Sequence, residues 1–332
     1  MNITVLALAL AAATATVPVT ADNFPRAESD MYFQSMAVKG GGFGKFNHAR
    51  APMPIAHQTV IRPNRDTLYS SMVADLDAGP MTVVMPDAAG RFMSLMSIDE
   101  DHYVHSVDYT AGRHVFNKEG IGTRYVMLGV RTLVNPSDPN DMAKVRELQD
   151  AIRVEQQGGP GKFEVPKWDP KSQKRVRDAL LVLASGIPDF KGAFGAKDQV
   201  DPVRHLIGTA AGWGGNPEKD AMYLSVTPEK NDGKTVYRLT VKDVPVDAFW
   251  SISVYDARGY FQQNSWNAYS LNDLSAKKSE DGSVAVRLGG CNGKIPNCLP
   301  TMPGWNYTVR LYRPRTEILD GRWTFPKPEP VK

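Results

Sequence analysis

The densest run of side chains able to hold a cation or move a proton is Asp99-Glu100-Asp101-His102-Tyr103-Val104-His105. On a strand, Asp99, Asp101, Tyr103 and His105 would share one face, and Glu100 and His102 the other. Two carboxylates and an imidazole on one face suit a divalent cation or acid–base work. A solvated strand end is the plainer alternative. A second group surrounds Asn64-Arg65-Asp66-Thr67-Leu68-Tyr69, preceded by His57 in the proline-rich stretch PMPIAHQTVIRPNRD. Loops fixed on a rigid scaffold often hold binding residues. Arg65 would grip a carboxylate or phosphate with two parallel hydrogen bonds. If the chain is an enzyme, Arg65 orients an anion, His57 or His102 moves a proton, and Asp66 orients that base. Asn64, Tyr69, Tyr103, Trp213 and Asn216 are the accompanying ligand-contact candidates. A surface arginine, a core histidine and a tryptophan filling a domain seam are the structural alternatives.

Several familiar chemistries have no support. Gly-x-Ser-x-Gly and His-Glu-x-x-His are absent, which removes the lipase-type elbow and the zinc protease helix. Gly40-Gly41-Gly42-Phe43-Gly44-Lys45 fails as a phosphate loop, with Lys39 where the first glycine belongs and Phe46 where Ser or Thr belongs. It reads instead as a flexible segment after a helical stretch. Cys291 and Cys298, in GGCNGKIPNCLP, have no further Cys or nearby His to complete a coordination set. A local disulfide is expected in an oxidising compartment, and two free thiols in a reducing one. No metal and no organic cofactor is predicted.

These groups must be positioned by a folded scaffold. Of 332 residues, 42% are apolar and 23% charged, as in a globular protein. That length exceeds the roughly 250–300 residues at which single cores stop growing. A net charge of +3 without runs of one sign gives no basis for nucleic-acid binding. Thr4 to Ala13 (TVLALALAAA) is apolar but too short to span a bilayer, and Val19-Thr20-Ala21 offers small residues for cleavage. A signal peptide over 1–21 and a periplasmic or secreted protein are expected, although the leader lacks Lys and Arg ahead of its apolar block. No later stretch predicts a membrane span.

Strand-like runs such as YSSMVADLD, FMSLMSID and RYVMLGVRTLV are divided by turn residues. Three helices are expected between 139 and 212. The first carries Met142, Val145, Leu148 and Ile152 as an apolar stripe; Asp169-Pro170 and Asp201-Pro202 open the others. Strands then resume with TVYRLTV, AFWSISVYD, SVAVRL and NYTVRLYRP. The two β regions match each other. Asp66-x-x-Tyr69 corresponds to Asp220-x-x-Tyr223. Phe92, Ser94, Asp99 and Tyr103 correspond to Phe249, Ser251, Asp256 and Tyr260. Gly122-x-x-Tyr125 with Arg131 corresponds to Gly304-x-x-Tyr307 with Arg313. Self-similarity of this kind predicts a duplicated β domain. Residues common to both copies then serve the shared fold first: Asp66 and Asp220 would bond local backbone N–H groups at a strand entrance. Polar residues unique to one copy, such as His102 opposite Gly259, are the better site candidates.

The blocks QTVIRPNRDTLYSS, FMSLMSIDEDHY, DPVRHLIGTA, GWGGNPEKDAMYL, FWSISVYDARGYF and PGWNYTVRLYRPR resemble bacterial proteins that combine the DUF1254 and DUF1214 domains. The resemblance covers nearly the whole chain after the leader and implies two jelly-roll-like β domains with helices attached, but no catalytic residues. The expected architecture is mainly β with a helical insert: an N-terminal helix and loop over 22–64, a first β-sandwich over 65–135, about three connecting helices over 136–212, and a second sandwich over 213–332. The expected function is the binding or turnover of a small organic molecule in an interdomain cleft, with cofactor-independent hydrolysis the simplest reaction. The alternative is a non-catalytic carbohydrate- or envelope-binding protein, or a structural protein that works as a homo-oligomer.

Overall fold

The computed structural model describes residues 16–58 and 60–331, so the apolar block of the expected leader lies outside the described residues. The strands are β1 (Asn47–His48), β2 (Thr67–Asp75), β3 (Met81–Met85), β4 (Met93–Asp99), β5 (Val104–Asp108), β6 (Gly112–Phe116), β7 (Tyr125–Leu133), β8 (Arg153–Glu155), β9 (Ala221–Val226), β10 (Tyr237–Val241), β11 (Trp250–Tyr255), β12 (Ser270–Asn272), β13 (Val284–Leu288), β14 (Cys298–Leu299), β15 (Asn306–Tyr312) and β16 (Glu329–Pro330). The helices are α1 (Phe24–Gln34), α2 (Lys118–Ile121), α3 (Pro139–Asp150), α4 (Pro170–Ala184), α5 (Pro202–Gly212) and α6 (Thr316–Leu319).

The chain is mainly β and is built twice. One sheet runs β1-β2-β7-β4-β5 and its companion β6-β3-β8; the later strands form β12-β11-β15-β9 and β14-β13-β10-β16. Matching β2, β7, β4 and β5 to β9, β15, β11 and β12 makes the larger sheets coincide. Matching β6, β3 and β8 to β13, β10 and β16 makes the smaller ones coincide. Each copy buries its own core. The first holds Met72, Leu95, Leu128 and Val130; the second holds Ile252, Leu288, Trp305 and Val309. Phe92 and Phe249 lie just ahead of the matched strands β4 and β11. Their carbonyls accept from Leu133 N–H at 3.0 Å and Tyr312 N–H at 2.9 Å, which are themselves matched residues.

One correspondence expected from the sequence is displaced. Arg131 faces Tyr69 and Ser94 across its two neighbouring strands, whereas the residue facing Tyr223 and Ser251 is Arg310. Arg131 therefore matches Arg310 and not Arg313. The glycine turn ahead of β15 sits three residues deeper in the strand register than the one ahead of β7, so aligned turns give misaligned strands. A second correction concerns Asp99 to Tyr103, which is the hairpin turn between β4 and β5 and not continuous strand. His102 N–H donates to the Asp99 carbonyl at 3.1 Å, as Gly259 N–H does to Asp256 at 3.0 Å. His102 takes φ of 69° where Gly259 takes 86°, a left-handed conformation uncommon for a side-chain-bearing residue.

The three helices of the insert each begin at an Asp-Pro. The carboxylates of Asp138, Asp169 and Asp201 accept first-turn N–H groups as caps. Helix α3 stops at Asp150, short of Ile152. Arg153–Glu155 instead adds β8 to the edge of β3, and Ile152 is buried beneath the first sandwich. The glycine-rich stretch after α1 is not loose: Phe43 bridges to Val73, with Gly44 N–H on the Val73 carbonyl at 2.9 Å. Cys291 and Cys298 form the expected disulfide. No described helix is long and apolar enough to cross a membrane. Residues ahead of α1 dock on α4: Val17 N–H donates to the Lys167 carbonyl and Asp169 N–H to the Val17 carbonyl, both at 2.8 Å, and Val19 is buried.

Where α1 meets this layer, Asp30 is buried. Its Oδ2 accepts from Trp168 Nε1–H at 2.8 Å, and its Oδ1 has no partner among the described residues. Burial, helped by Glu100, pushes its carboxyl up to about 7. The native state thus keeps a proton that the unfolded chain releases near the ordinary value of about 4. Stability from this group is complete below that value and is lost as pH rises through about 7. Urea unfolding across that window should show wild-type stability declining, by up to about 4 kcal/mol from this carboxyl. Asp30→Asn should flatten the decline.

Candidate functional site

The two copies meet through the sheet faces that point away from their cores. On the first, Tyr69, Arg131 and Ser94 lie in one cross-strand row, which Tyr109 extends one residue past β5; on the second the row is Tyr223, Arg310, Ser251 and Asn272. Each row reaches the segment that leads into the other copy. Arg131 donates to the Gly214 carbonyl at 2.9 Å and to Asn216 Oδ1 at 3.1 Å, both just ahead of β9. Arg310 donates to the Arg62 carbonyl at 2.9 Å, just ahead of β2, and to Ser253 Oγ and the Tyr255 hydroxyl. The aspartates complete the exchange. Asp66 accepts from Ser251 Oγ at 2.6 Å and Asn272 Nδ2 at 3.3 Å, and Asp220 accepts from the Tyr109 hydroxyl at 2.8 Å. Both thus bond across the seam, not to local backbone as the sequence suggested. The pattern is that of an isologous contact, related by a pseudo-twofold axis within one chain.

Near this axis three phenols gather. Asn64 Nδ2 donates to the Tyr69 hydroxyl at 3.0 Å and to the Tyr312 hydroxyl at 3.1 Å, and Asn216 Nδ2 donates to the Tyr223 hydroxyl at 2.9 Å. The amide orientations are fixed from behind: Asn64 Oδ1 accepts Asp66 N–H at 2.8 Å, and Asn216 Oδ1 accepts from Arg131. Asn64 Nδ2 also lies 3.2 Å from Thr67 Oγ1, so its two N–H groups are shared among three acceptors, while none of the phenol O–H groups has a recipient among the described residues. Burial, with Tyr223 and Tyr69 nearby, holds the Tyr312 hydroxyl well above the usual tyrosine range, so it keeps its proton. The Arg131 guanidinium lies 5.7 Å from the Tyr69 ring centre. Tyr69 and Tyr223 are 37% and 43% exposed, which opens the cluster to solvent. Two part-exposed hydroxyl donors, with the buried Tyr312 hydroxyl and the Arg131 guanidinium behind them, suit a negatively charged or strongly polarised oxygen.

Of the residues singled out from the sequence, Asn64, Tyr69 and Asn216 belong to this cluster. Asp66 lies behind it, wholly buried; burial pushes its carboxyl up against the pull of Arg310. His57 is exposed and is not among the partners of Asp66. Arg65 donates to the Met53 carbonyl at 2.7 Å and lies over the Tyr269 ring, strapping its own loop to the second copy. His102, Tyr103 and Trp213 assemble elsewhere. Tyr103 stacks on His205 at 4.4 Å, and Trp213 stacks on Tyr32 and His102 and bonds Ser29. Gly214 N–H donates to His102 Nε2 at 2.8 Å, so the ring proton sits on Nδ1 and faces Thr209 Oγ1, whose own proton goes to the His205 carbonyl. Burial, with His205 beside it, lowers the pKa of His102 well below the usual value, so the ring is neutral with both nitrogens engaged. Asp99 Oδ1 accepts Asp101 and Tyr103 N–H while Asp256 Oδ1 accepts Arg258 and Tyr260 N–H, one turn made twice. Among the described residues no group of three His, Cys, Asp or Glu is placed to hold a metal ion.

Tyr223, Tyr312 and Arg131 were not legible as site residues. Tyr223 and Arg131 occur in the repeat and so read as scaffold. Tyr312 stands where the first copy has Leu133, and that difference is the signal a correct strand register would have exposed.

The fold and seam define a class, a tandem β-domain protein whose halves clasp each other about an internal axis. Residues 43–121 match the family described as protein of unknown function DUF1254 and residues 221–316 match DUF1214, so the chain belongs to the proteins that carry these two domains. The crystal structure of the VPA0106 protein from Vibrio parahaemolyticus is similar at a TM-score of 0.74 and 19% identity, over 94% of this chain and 98% of that one. An uncharacterized protein from Burkholderia cenocepacia is similar at 0.52 and 13%, over 94% and 89%. At these identities the likeness shows the fold alone. No curated protein matches the chain.

The clasp has an energetic consequence. Arg310 Nη1 lies 4.0 Å from Asp66 Oδ2, with side chains 4% and 0% exposed. Removing one partner of such a buried pair leaves the other charge uncompensated, at a cost of about 3–5 kcal/mol. Arg310→Met should show that loss in urea unfolding, and Arg131→Met, at a partly exposed position, a smaller one. Equal losses would mean that Asp66 is not held by Arg310.

Proposed function

We propose that Tyr69, Tyr223, Tyr312 and Arg131 bind a small organic anion through its oxygen atoms at the seam between the two β domains. The observation carrying this reading is the direction of the hydrogen bonds: the asparagine amides donate to the phenol oxygens, leaving three O–H groups without a recipient among the described residues. Hydroxyl donors beside a guanidinium favour an anion over a cation, and a neutral sugar would need acceptors as well as donors. Tyr69 and Tyr223 are matched residues on either side of the pseudo-twofold axis, an arrangement that suits the two oxygens of one carboxylate. Donors of this kind would also stabilise an oxyanion in hydrolysis, but that reaction needs a general base within hydrogen-bond reach. His102 is engaged at both nitrogens and His57 lies on an exposed loop, so binding is the reading the geometry favours. The test is calorimetry with a panel of small mono- and dicarboxylates. Each of Tyr69→Phe, Tyr223→Phe and Tyr312→Phe removes one donor while keeping the ring, and should weaken a bound carboxylate by about tenfold or more. A triple variant that binds like the wild type would sink the proposal.

We also infer export, with a cleavage point other than the one the leader first suggests. Cutting after Ala21 would discard Val17 and Val19, whose backbone bonds and burial against α4 are described above; Val19 N–H alone donates to Ser172 Oγ at 2.9 Å. Ala13-Thr14-Ala15 is a second small-x-small site that spares them. N-terminal sequencing of protein recovered from the periplasm or medium should read Thr16; a chain beginning at Asp22 would refute this placement.

A further inference from the structure

A cleft of about 600 Å³ opens on the same seam, separate from the phenols. The dividing wall is aromatic. Tyr312 gives its hydroxyl to the phenol cluster, while its ring stacks on Phe249 at 4.2 Å and lies 5.3 Å from Phe92; both phenylalanines line the cleft, with Phe249 almost wholly buried in its wall. Of the charged groups lining it, Asp87 is exposed and accepts Ala89 N–H at 2.8 Å, while others are held in place. Arg91 is held by Asp141 and by the Leu133 carbonyl. Asp247 pairs with Arg315 at 2.7 Å. Asp273 has its carboxyl pushed up to about 6, chiefly by burial.

Arg313 differs. Its guanidinium lies over the Tyr109 ring at 4.6 Å and meets no carboxylate among the described residues. The Tyr109 hydroxyl is already committed to Asp220, so it offers the guanidinium a face and not an acceptor. The backbone of Arg313 is left-handed, with φ of 51°. That conformation is held from both sides: its N–H donates to the Asp220 carbonyl at 2.9 Å, and its carbonyl accepts Asp247 N–H at 2.8 Å. A side-chain-bearing residue costs energy there and persists only when its surroundings impose it. The fold therefore fixes an unpaired cation at the mouth of an aromatic-walled cavity, and the matched position in the first copy is the apolar Val134, given the register that pairs Arg131 with Arg310.

We propose that this cleft binds an organic anion with an apolar ring, the carboxylate or phosphate on the Arg313 guanidinium and the ring against Phe92 and Tyr109. A planar guanidinium forks onto either headgroup, and stacking on Tyr109 leaves its N–H edge free to do so. The proposal does not depend on the phenol site. Titration calorimetry of the full chain with benzoate, phenyl phosphate and benzylamine would test it. One or both anions should bind at millimolar concentration or better, and the amine should not. Arg313→Ala should weaken the anion by about tenfold or more, and Arg313→Lys, which keeps the charge but not the fork, should retain part of the affinity. Far-UV circular dichroism and melting should be unchanged in both, since the side chain carries no structural bond. Anion binding that Tyr69→Phe and Tyr223→Phe weaken and Arg313→Ala leaves unchanged would belong to the phenol cluster and not to this cleft. Failure of both anions to bind, equal binding by Arg313→Ala, or equal binding of the amine would overturn it.

Discussion

The structure depends on a buried exchange of polar groups between two copies of one β unit. Arg310 and Asp66 are both removed from water at the seam: Asp66 is satisfied by Ser251 and Asn272 of the opposite copy, and Arg310 by Ser253 and Tyr255 of its own copy together with the Arg62 carbonyl across the seam. An apolar seam of the same size would tolerate sliding, since apolar contact is non-directional. This one does not. A displacement of one copy by a single residue would strip Asp66 of both its donors and Arg310 of the Arg62 carbonyl. The clasp therefore fixes the relative placement of the sheets, and everything positioned across the axis inherits that precision.

The phenol cluster is the clearest beneficiary. Its geometry is set less by the tyrosines than by the two asparagines behind them. Each asparagine oxygen is claimed by the clasp, Asn64 by the Asp66 backbone and Asn216 by Arg131, so each amide nitrogen is forced outward. The same groups that join the copies thus decide which way the phenol protons point. The copies are not used equally. Arg310 is sealed beneath its partner's lead-in segment, whereas Arg131 remains partly open beside Tyr69. Both halves use the arginine to hold the opposite lead-in segment, and only in the first is it part-exposed beside a tyrosine ring.

Much of the architecture was legible because its signals are local. Asp-Pro caps announce helices by the chemistry of one turn, and alternating apolar residues between turn signals announce strands. The duplication was legible from Asp-x-x-Tyr and from the Phe–Ser–Asp–Tyr spacing, and the matched positions of Phe92 and Phe249 follow from it. The site was only half legible. Asn64, Tyr69 and Asn216 could be picked out near the repeated block, yet their convergence depends on which face of a sheet meets which, a property of the seam and not of any segment. His102 stood out as a polar residue where the second copy has Gly259, but a sequence does not show that this is a turn position where both ring nitrogens are engaged, or that Asp66 bonds Ser251 and Asn272 instead of His57. The misplaced match of Arg131 to Arg313 has the same origin: turns conserve glycine, but pairing across strands sets register.

A duplicated fold also changes how shared residues should be weighed. In a linear array, a residue repeated in every unit most simply serves the unit. About a twofold axis, the repeated residues near the axis are brought face to face, so two ordinary scaffold positions become two walls of one site. Tyr69 and Tyr223 illustrate this: each sits in its own sheet for the same reason, and the axis makes them neighbours. What distinguishes a site from mere symmetry is then the residue that breaks it. Here the breaks are Tyr312 opposite Leu133, which adds a third phenol, and Arg313 opposite Val134, which places a cation in the neighbouring cleft. Both lie at the end of β15, where Tyr312 packs its ring into the seam cluster with Phe249 and Arg313 leaves the sheet.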